Sequence, residues 1–227
     1  MKFVFLHVGD DIRPKLLVKS IRKISPDAEI IQCTNSIEYK VPGIDRLFVE
    51  DGDISNLMTY RLQVFSNLRL DSPAIYLDTD ILLIRKPNIK NMLEDKEIAV
   101  CRRSFSNEAP INTSFRGMNL SEYDGKTLGQ VYPYLASFNI TRTHRFWDEC
   151  KNYLSTIDKK FHYWYGDQEA IRDVLKKEKY SFRDLSESTV SCLPEYLSTY
   201  TNPIAIHFKG RARKELMIDH AKRLGII

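Results

Sequence analysis

The sequence has no apolar run approaching the roughly 20 residues that a membrane span needs, so any membrane contact is expected to be peripheral. Met1 to Val8 is apolar but reaches Asp10 and Asp11 at once, too short for the core of a signal peptide. There is no Cys-x-x-Cys; the four cysteines (Cys33, Cys101, Cys150, Cys192) stand singly, without metal-ligand spacing, which fits reduced thiols in a cytoplasmic protein. Charge of one sign is also lacking. Thirty-four basic residues against 30 acidic give a net charge of +4, too balanced for the concentrated basic face that nucleic acid demands. No glycine-rich phosphate loop follows the first apolar segment, and no repeat, low-complexity tract or linker divides the chain.

What is there is a folding sequence of 227 residues, 43% hydrophobic, long enough for one large core. Residues 2–8 read as a buried strand. Pro14 opens a helix in which Leu17, Ile21 and Ile24 recur at helical spacing, ending near Ser25-Pro26. Strands are expected at 28–33, 46–49, 97–102 and 135–141, with short late ones at 190–193 and 204–208. Helices are expected at 57–68, from Phe146 to Ile157, at 167–177 and, amphipathic, at 216–224. This alternation predicts a single α/β domain, residues 1–227, around a largely parallel sheet. Residues 104–134, rich in Asn, Ser, Gly and Pro, show little periodicity; loops of that length often line binding sites.

The sharpest chemical feature lies in the apolar segment 74–84, Ala-Ile-Tyr-Leu-Asp-Thr-Asp-Ile-Leu-Leu-Ile. Two carboxylates two positions apart on an extended chain share a face. Asp78 and Asp80, flanked by apolar residues, repel and desolvate each other unless a divalent cation sits between them, and hard oxygen ligands suit Mg²⁺ and Mn²⁺. The plainer alternative is one Asp capping a turn while the other faces water. Near the end, Pro-Ile-Ala-Ile-His-Phe-Lys-Gly puts His207 at the close of a short apolar strand, ahead of Gly210. An imidazole beside two carboxylates makes a mixed N/O set more typical of Mn²⁺ than of Mg²⁺, although a lone histidine there is more often a core residue. The basic cluster Lys209, Arg211, Arg213 and Lys214 suits a local anion such as a diphosphate, or is simply a solvated patch.

Two more positions stand out. Arg61 falls inside the apolar stripe of its helix, where an unpaired charge is expensive, so it needs a donor phosphate, one of the aspartates, or a structural acidic partner. Asp167 is placed to cap the helix that follows Gly166, while Gln168 shares a face with Ile171 and Leu175. The aromatic run Phe161-His162-Tyr163-Trp164-Tyr165 just before it offers rings to stack on a sugar, or to fill a core.

In order along the chain, these motifs resemble family 8 glycosyltransferases, which have the GT-A fold: a short first strand, Tyr60-Arg61, Tyr76-Leu77-Asp78-Thr79-Asp80, Phe138-Asn139, Asp167-Gln168 and His207-x-x-Gly210-x-x-Arg213. The resemblance implies a central mixed, mostly parallel sheet flanked by helices. It implies a nucleotide-sugar donor such as a UDP-sugar, a glycan or lipid-linked glycan acceptor, and Mn²⁺ (or Mg²⁺) on Asp78, Asp80 and His207. Donor contacts would come from His7, Gly9, Asp10, Tyr60, Arg61, Asp78, Thr79, Asn139, Gly210 and Arg213, with Asp167 and Gln168 at the reacting carbon. Such enzymes retain anomeric configuration, with the acceptor attacking the face that the diphosphate leaves. Two departures are visible. Thr141 replaces the glycine expected two places after Asn139, and Arg213 replaces a lysine. Competing readings are a phosphatase of the haloacid dehalogenase type, a nucleotidyltransferase, and a non-catalytic sugar-nucleotide binder. Against the first, Ile81-Leu82 follows Asp-x-Asp where Gly-Thr is expected; against the second, the phosphate loop is missing.

Overall fold

The structure, a computed structural model, describes residues 1–112, 120–162 and 165–227. Tyr163 and Trp164 of the aromatic run, and seven residues of the long middle segment, lie outside the described residues. Among the described residues nine strands are formed: β1 Lys2–Leu6, β2 Glu29–Thr34, β3 Arg46–Val49, β4 Ala74–Leu77, β5 Ile81–Leu83, β6 Ile98–Arg102, β7 Tyr134–Thr141, β8 Phe182–Ser186 and β9 Ala205–His207. Among them run helices α1 Arg13–Ile24, α2 Leu57–Asn67, α3 Ile89–Leu93, α4 Leu128–Val131, α5 Arg145–Leu154, α6 Gly166–Lys176, α7 Glu187–Val190 and α8 Arg211–Arg223.

Seven strands make one sheet in the order β3-β2-β1-β4-β7-β6-β8, and β5 pairs with β9 in a second, two-stranded sheet. In the large sheet β7 runs antiparallel to both β4 and β6, while the other four neighbour pairs are parallel. A mainly parallel sheet must be covered on both faces, and the strand residues show it. Phe3, Phe5, Ile75 and Leu77 pack with α1 residues Leu17 and Ile21 on one side. Their alternates Val4 and Tyr76 pack on the other with Phe65 of α2 and Trp147 of α5. Phe65, Tyr76 and Trp147 form a three-ring cluster with centroids 4.8 to 5.2 Å apart, in the tilted geometries that aromatic quadrupoles favour.

Several expectations are corrected. No strand forms at 190–193; α7 ends at Val190, and beyond it only Cys192 makes an isolated bridge, to Ile206. Val190, Ser191, Cys192 and Leu193 are all buried, as a continuous run rather than by alternation. The strand that the pattern does not reveal is β8, whose Arg183 and Asp184 mark it as an edge, where charge is tolerated. Within the aperiodic middle segment, α4 forms because Thr127 and Gln130 make a capping box. Leu57, which opens the helix expected at 57–68, is 40% exposed. The last helix starts at Arg211, five residues before the apolar pattern. It buries Met217 and Ala221 against Leu16, Leu82 and Phe208 and leaves Leu216 exposed. Its first turn is basic, so periodicity could not find it; Gly210, at φ +84°, supplies the chain reversal that begins it.

This topology fixes where a ligand can sit. From β1 the chain goes to β2 on one side, and β4 lies on the other, parallel to both. The crevice beyond the carboxyl ends of β1 and β4 is such a switch point, where open α/β sheets bind ligands. The register Phe5↔Leu77 brings His7 and Gly9, just past β1, and Asp78, just past β4, to that same edge.

Candidate active site

Asp78, Thr79 and Asp80 form the turn between β4 and β5. The turn is held at both ends by backbone: Asp78 N–H donates to the Ser137 carbonyl of β7 (3.0 Å), and the Asp80 carbonyl accepts from Phe208 N–H (2.8 Å). The antiparallel register Ile81↔His207 then sets the imidazole of β9 beside the second aspartate. Two chain segments more than 120 residues apart are thus brought together by a three-pair ladder of buried side chains, apolar but for His207 itself.

One ligand atom from each of Asp78, Asp80 and His207 lies within 4.8 Å of the others, the one such group among the described residues. His207 Nε2 is 3.7 Å from Asp78 Oδ2 and 3.3 Å from Asp80 Oδ1. The second oxygen of each carboxylate is turned to a cation. Asp78 Oδ1 accepts from Arg61, and Asp80 Oδ2 is 3.1 Å from Lys214 Nζ. Burial alone would raise the Asp80 carboxyl, but His207 and Lys214 together hold it well below the usual carboxylate range, so it is ionised and ready to coordinate. Two carboxylate oxygens and one imidazole nitrogen converging on one point are a donor set suited to a divalent ion. His207 Nδ1, on the far side of the ring, is buried with no hydrogen-bond partner among the described residues. A metal-ligating histidine usually donates that proton to an acceptor behind it; here the two carboxylates orient the ring from the front.

Arg61 resolves its own question. From α2 its guanidinium spans Asp78 and Asp167, with Nη1 2.9 Å from Asp167 Oδ2. Asp167 lies in the first turn of α6, is 1% exposed, and its Oδ1 accepts from the Gln168 N–H (2.8 Å). Burial pushes its carboxyl up, Arg61 pulls it back, and Asp78 raises it again, leaving it pushed up to about 6. A folded-state value above the unfolded 3.8 means that the folded chain keeps a proton the unfolded chain has released, so this group's stability contribution is lost as pH rises toward and through 6. His7 and His220, both lowered by burial, act in the opposite sense in that range. The difference between parent and Asp167→Asn isolates the carboxyl. Urea titrations of the ligand-free protein at pH 4 to 7 are expected to show the variant gaining roughly 2–3 kcal/mol on the parent across that range, because each tenfold change in proton affinity is worth ~1.4 kcal/mol. A pH-independent difference would contradict this assignment.

Gln168 is half-buried, and its Oε1 accepts from Arg103 Nη2 (2.7 Å), while Arg103 Nε donates to the Tyr132 carbonyl (2.8 Å). Because arginine only donates, this contact fixes the carboxamide orientation, with the amide nitrogen at the other end. Arg103 carries no motif by which the sequence could reveal it. Nor does Glu187, which is fully buried and accepts from the backbone N–H groups of Ser104 and Phe105 (both 2.8 Å) and from Lys209. It ties the start of the middle segment to the chain just beyond His207.

The other expected residues divide. His7 is buried, with its backbone N–H donating to the Cys33 carbonyl (2.9 Å); Gly9 takes φ +86°, a conformation open to glycine; Asp10 is exposed beside Lys15. All three follow β1 at the crevice edge. Tyr60 is 2% exposed and gives its hydroxyl to the Glu50 carbonyl, so it supports α2 from within the core. Asn139 is wholly buried. Its carboxamide bonds Cys101 N–H (3.2 Å) and the Leu135 carbonyl (3.1 Å) where the β6–β7 register shifts, so it repairs a bulge. Of the basic cluster, Lys209 pairs with Glu187, Arg213 with Glu195, and the exposed Arg211 lies 4.0 Å from Glu215. Lys214 reaches Asp80.

No protein-family model matches the chain, and no curated protein is matched. Solved structures do match. The galactosyltransferase LgtC in complex with donor and acceptor sugar analogues corresponds over 98% of this chain and 96% of its own, with a TM-score of 0.59 and 15% identity. An active-site mutant of LgtC, glutamine replaced by glutamate, corresponds over 99% and 95%, with a TM-score of 0.60 and 15% identity. The chain therefore has the GT-A glycosyltransferase fold, with an Asp-x-Asp turn and a C-terminal histidine gathered at the crevice of its main sheet.

Proposed function

We propose that this chain is a metal-dependent, retaining glycosyltransferase of family 8 type that takes a nucleotide-sugar donor, a UDP-sugar before others, and uses Mn²⁺. The observation that carries the reading is the convergence of Asp78, Asp80 and His207 at the switch point of a GT-A fold. Supporting it, the solved neighbours over the whole chain length include a galactosyltransferase with donor and acceptor sugar analogues bound. The domain is read as a single catalytic unit, residues 1–227, acting on a glycan or lipid-linked glycan. No helix among the described residues is long and apolar enough to cross a membrane, and a cytoplasmic site with peripheral contact to a membrane-borne acceptor is the proposed setting.

In this reading Asp78, Asp80 and His207 would hold the ion, which supplies positive charge to the departing nucleoside diphosphate. The protein supplies the rest. Residues after β1 (His7, Gly9, Asp10) line the floor of the donor crevice, with Thr79 contacting the donor from the Asp-x-Asp turn and Gly210 letting backbone approach it. Arg61 fixes Asp78 and Asp167 so that both carboxylates are set before the donor arrives. Gln168, its oxygen held by Arg103, presents its amide N–H groups as donors to oxygens of the sugar at the face that the diphosphate leaves, and so positions the sugar while the acceptor hydroxyl attacks that face and passes its proton to the departing diphosphate. Replacement of Gln168 by alanine is expected to lower kcat about 100-fold while leaving donor affinity within about threefold, the pattern of a group that acts in the transition state.

The test is incubation with UDP-, GDP- and CMP-sugars with and without Mn²⁺. Metal-dependent nucleotide release supports the transferase. Thermal stabilisation by nucleotide without any release would assign a binding protein instead. Turnover of phosphate monoesters would assign a phosphatase.

A further inference from the structure

The metal-site carboxylates are already paired with cations of the protein itself, and the two pairings differ in kind. Arg61 is largely buried and tied to two aspartates at once. Lys214 approaches from the first turn of α8, with 38% of its side chain exposed, and holds a single oxygen, Asp80 Oδ2, at 3.1 Å. Its aliphatic stem leaves the ammonium free to swing; the Arg61 fork cannot. A divalent ion on Asp80 would meet that ammonium at close range, and like charges a few ångströms apart in a partly desolvated site repel strongly. The residues on either side of Lys214 do not share the contact. Arg213 is turned away onto Glu195, with its Nε 3.0 Å from both carboxylate oxygens, and Glu215 lies 4.0 Å from Arg211.

We propose that Lys214 is an internal counter-ion that competes with the metal for Asp80 and is drawn off by the donor diphosphate, so that metal and donor load the site together. The inference rests on the metal-site reading above and adds a regulatory role for a residue outside the ligand set. Metal alone binds weakly because it must displace or crowd the ammonium. A diphosphate arriving with the metal gives the ammonium a new anionic partner, and each ligand then raises the affinity of the other by the same factor. An enzyme so built does not hold an ion when no donor is present.

The experiment is calorimetric titration of the ligand-free protein with MnCl₂ alone, then with MnCl₂ in saturating UDP, for the parent, Lys214→Met and Lys214→Arg. Circular dichroism and thermal unfolding confirm that each is folded. Methionine keeps the length of the side chain and removes the charge. Lys214→Met is expected to bind Mn²⁺ alone at least about tenfold more tightly than the parent, as loss of one unit charge at this range requires. The gain that UDP gives to Mn²⁺ affinity should shrink by a similar factor. Lys214→Arg, which keeps the charge, should stay within about threefold of the parent. Equal or weaker Mn²⁺ binding by Lys214→Met, with the parent binding measurably, overturns the counter-ion role and leaves the metal site standing. If no variant takes up Mn²⁺ with or without UDP, the metal-site reading fails and the inference with it.

Discussion

Replacing Arg61 by methionine is expected to cost about 3–5 kcal/mol of stability, the usual penalty for removing one partner of a buried charge network, and to end metal-dependent turnover. The reason lies in what the guanidinium leaves behind. Asp167 is 1% exposed and Asp78 half-buried, and Arg61 touches both. Without it, two carboxylates face each other in a site that excludes most water. Asp167, already pushed up to about 6, would rise further and stay protonated at neutral pH. Asp78 would lose the contact that turns its Oδ2 toward His207. Lysine at the same position restores the charge but not the fork, and is expected to fall between the two, since one ammonium cannot hold both aspartates in their present positions. Urea midpoints give the stability; a loss under ~1 kcal/mol for Arg61→Met would show that the pair is not buried as described.

Asp80→Asn should have a large effect on function and a smaller one on stability. The amide keeps the volume and can still accept through one oxygen, so the backbone bond from Phe208 N–H to the residue 80 carbonyl and the β5–β9 ladder are undisturbed. The charge that holds His207 and Lys214 is gone. A neutral amide is a weaker ligand for a divalent ion than a carboxylate because it brings no charge, so Mn²⁺-dependent nucleotide release is expected to fall by about 10²–10³-fold, the scale seen when a preorganised electrostatic partner is removed from a transition state. In thermal unfolding, the parent in saturating Mn²⁺ and UDP should gain stability by linkage, ~2.7 kcal/mol at a hundred times the dissociation constant. The variant should lose the part of that gain that depends on metal. A variant that responds to Mn²⁺ as the parent does would place the ion elsewhere.

The elements legible in the sequence are those whose apolar pattern is set by the main sheet. Phe3, Val4 and Phe5 are buried on both faces of a central strand, and no other reading accommodates them. The Asp-x-Asp turn is legible for the same reason, because buried carboxylates between apolar runs need a partner. What cannot be read depends on contacts distant in sequence. Glu187 looks like any surface glutamate until its carboxylate is seen beneath two backbone N–H groups of residues 104 and 105. Arg103 is one basic residue after a strand, and only the fold brings it to Gln168. Tyr60 and Asn139 show the converse: they match motif positions, yet their polar groups satisfy the core and a bulge. Of the adjacent cations on the last helix, motif spacing singles out Arg213, and the contact it could not show is that of its neighbour: residue 213 faces Glu195 and residue 214 faces Asp80.

The account depends above all on one ion held between the Asp-x-Asp turn and the histidine of β9, and a crystal grown with MnCl₂ and UDP tests it directly. Anomalous difference density collected at the manganese edge is predicted to show a single strong peak in coordinating contact with Asp78, Asp80 and His207 Nε2 and with the UDP diphosphate. A peak at other residues, or UDP bound in the crevice with no manganese beside it, would contradict the account.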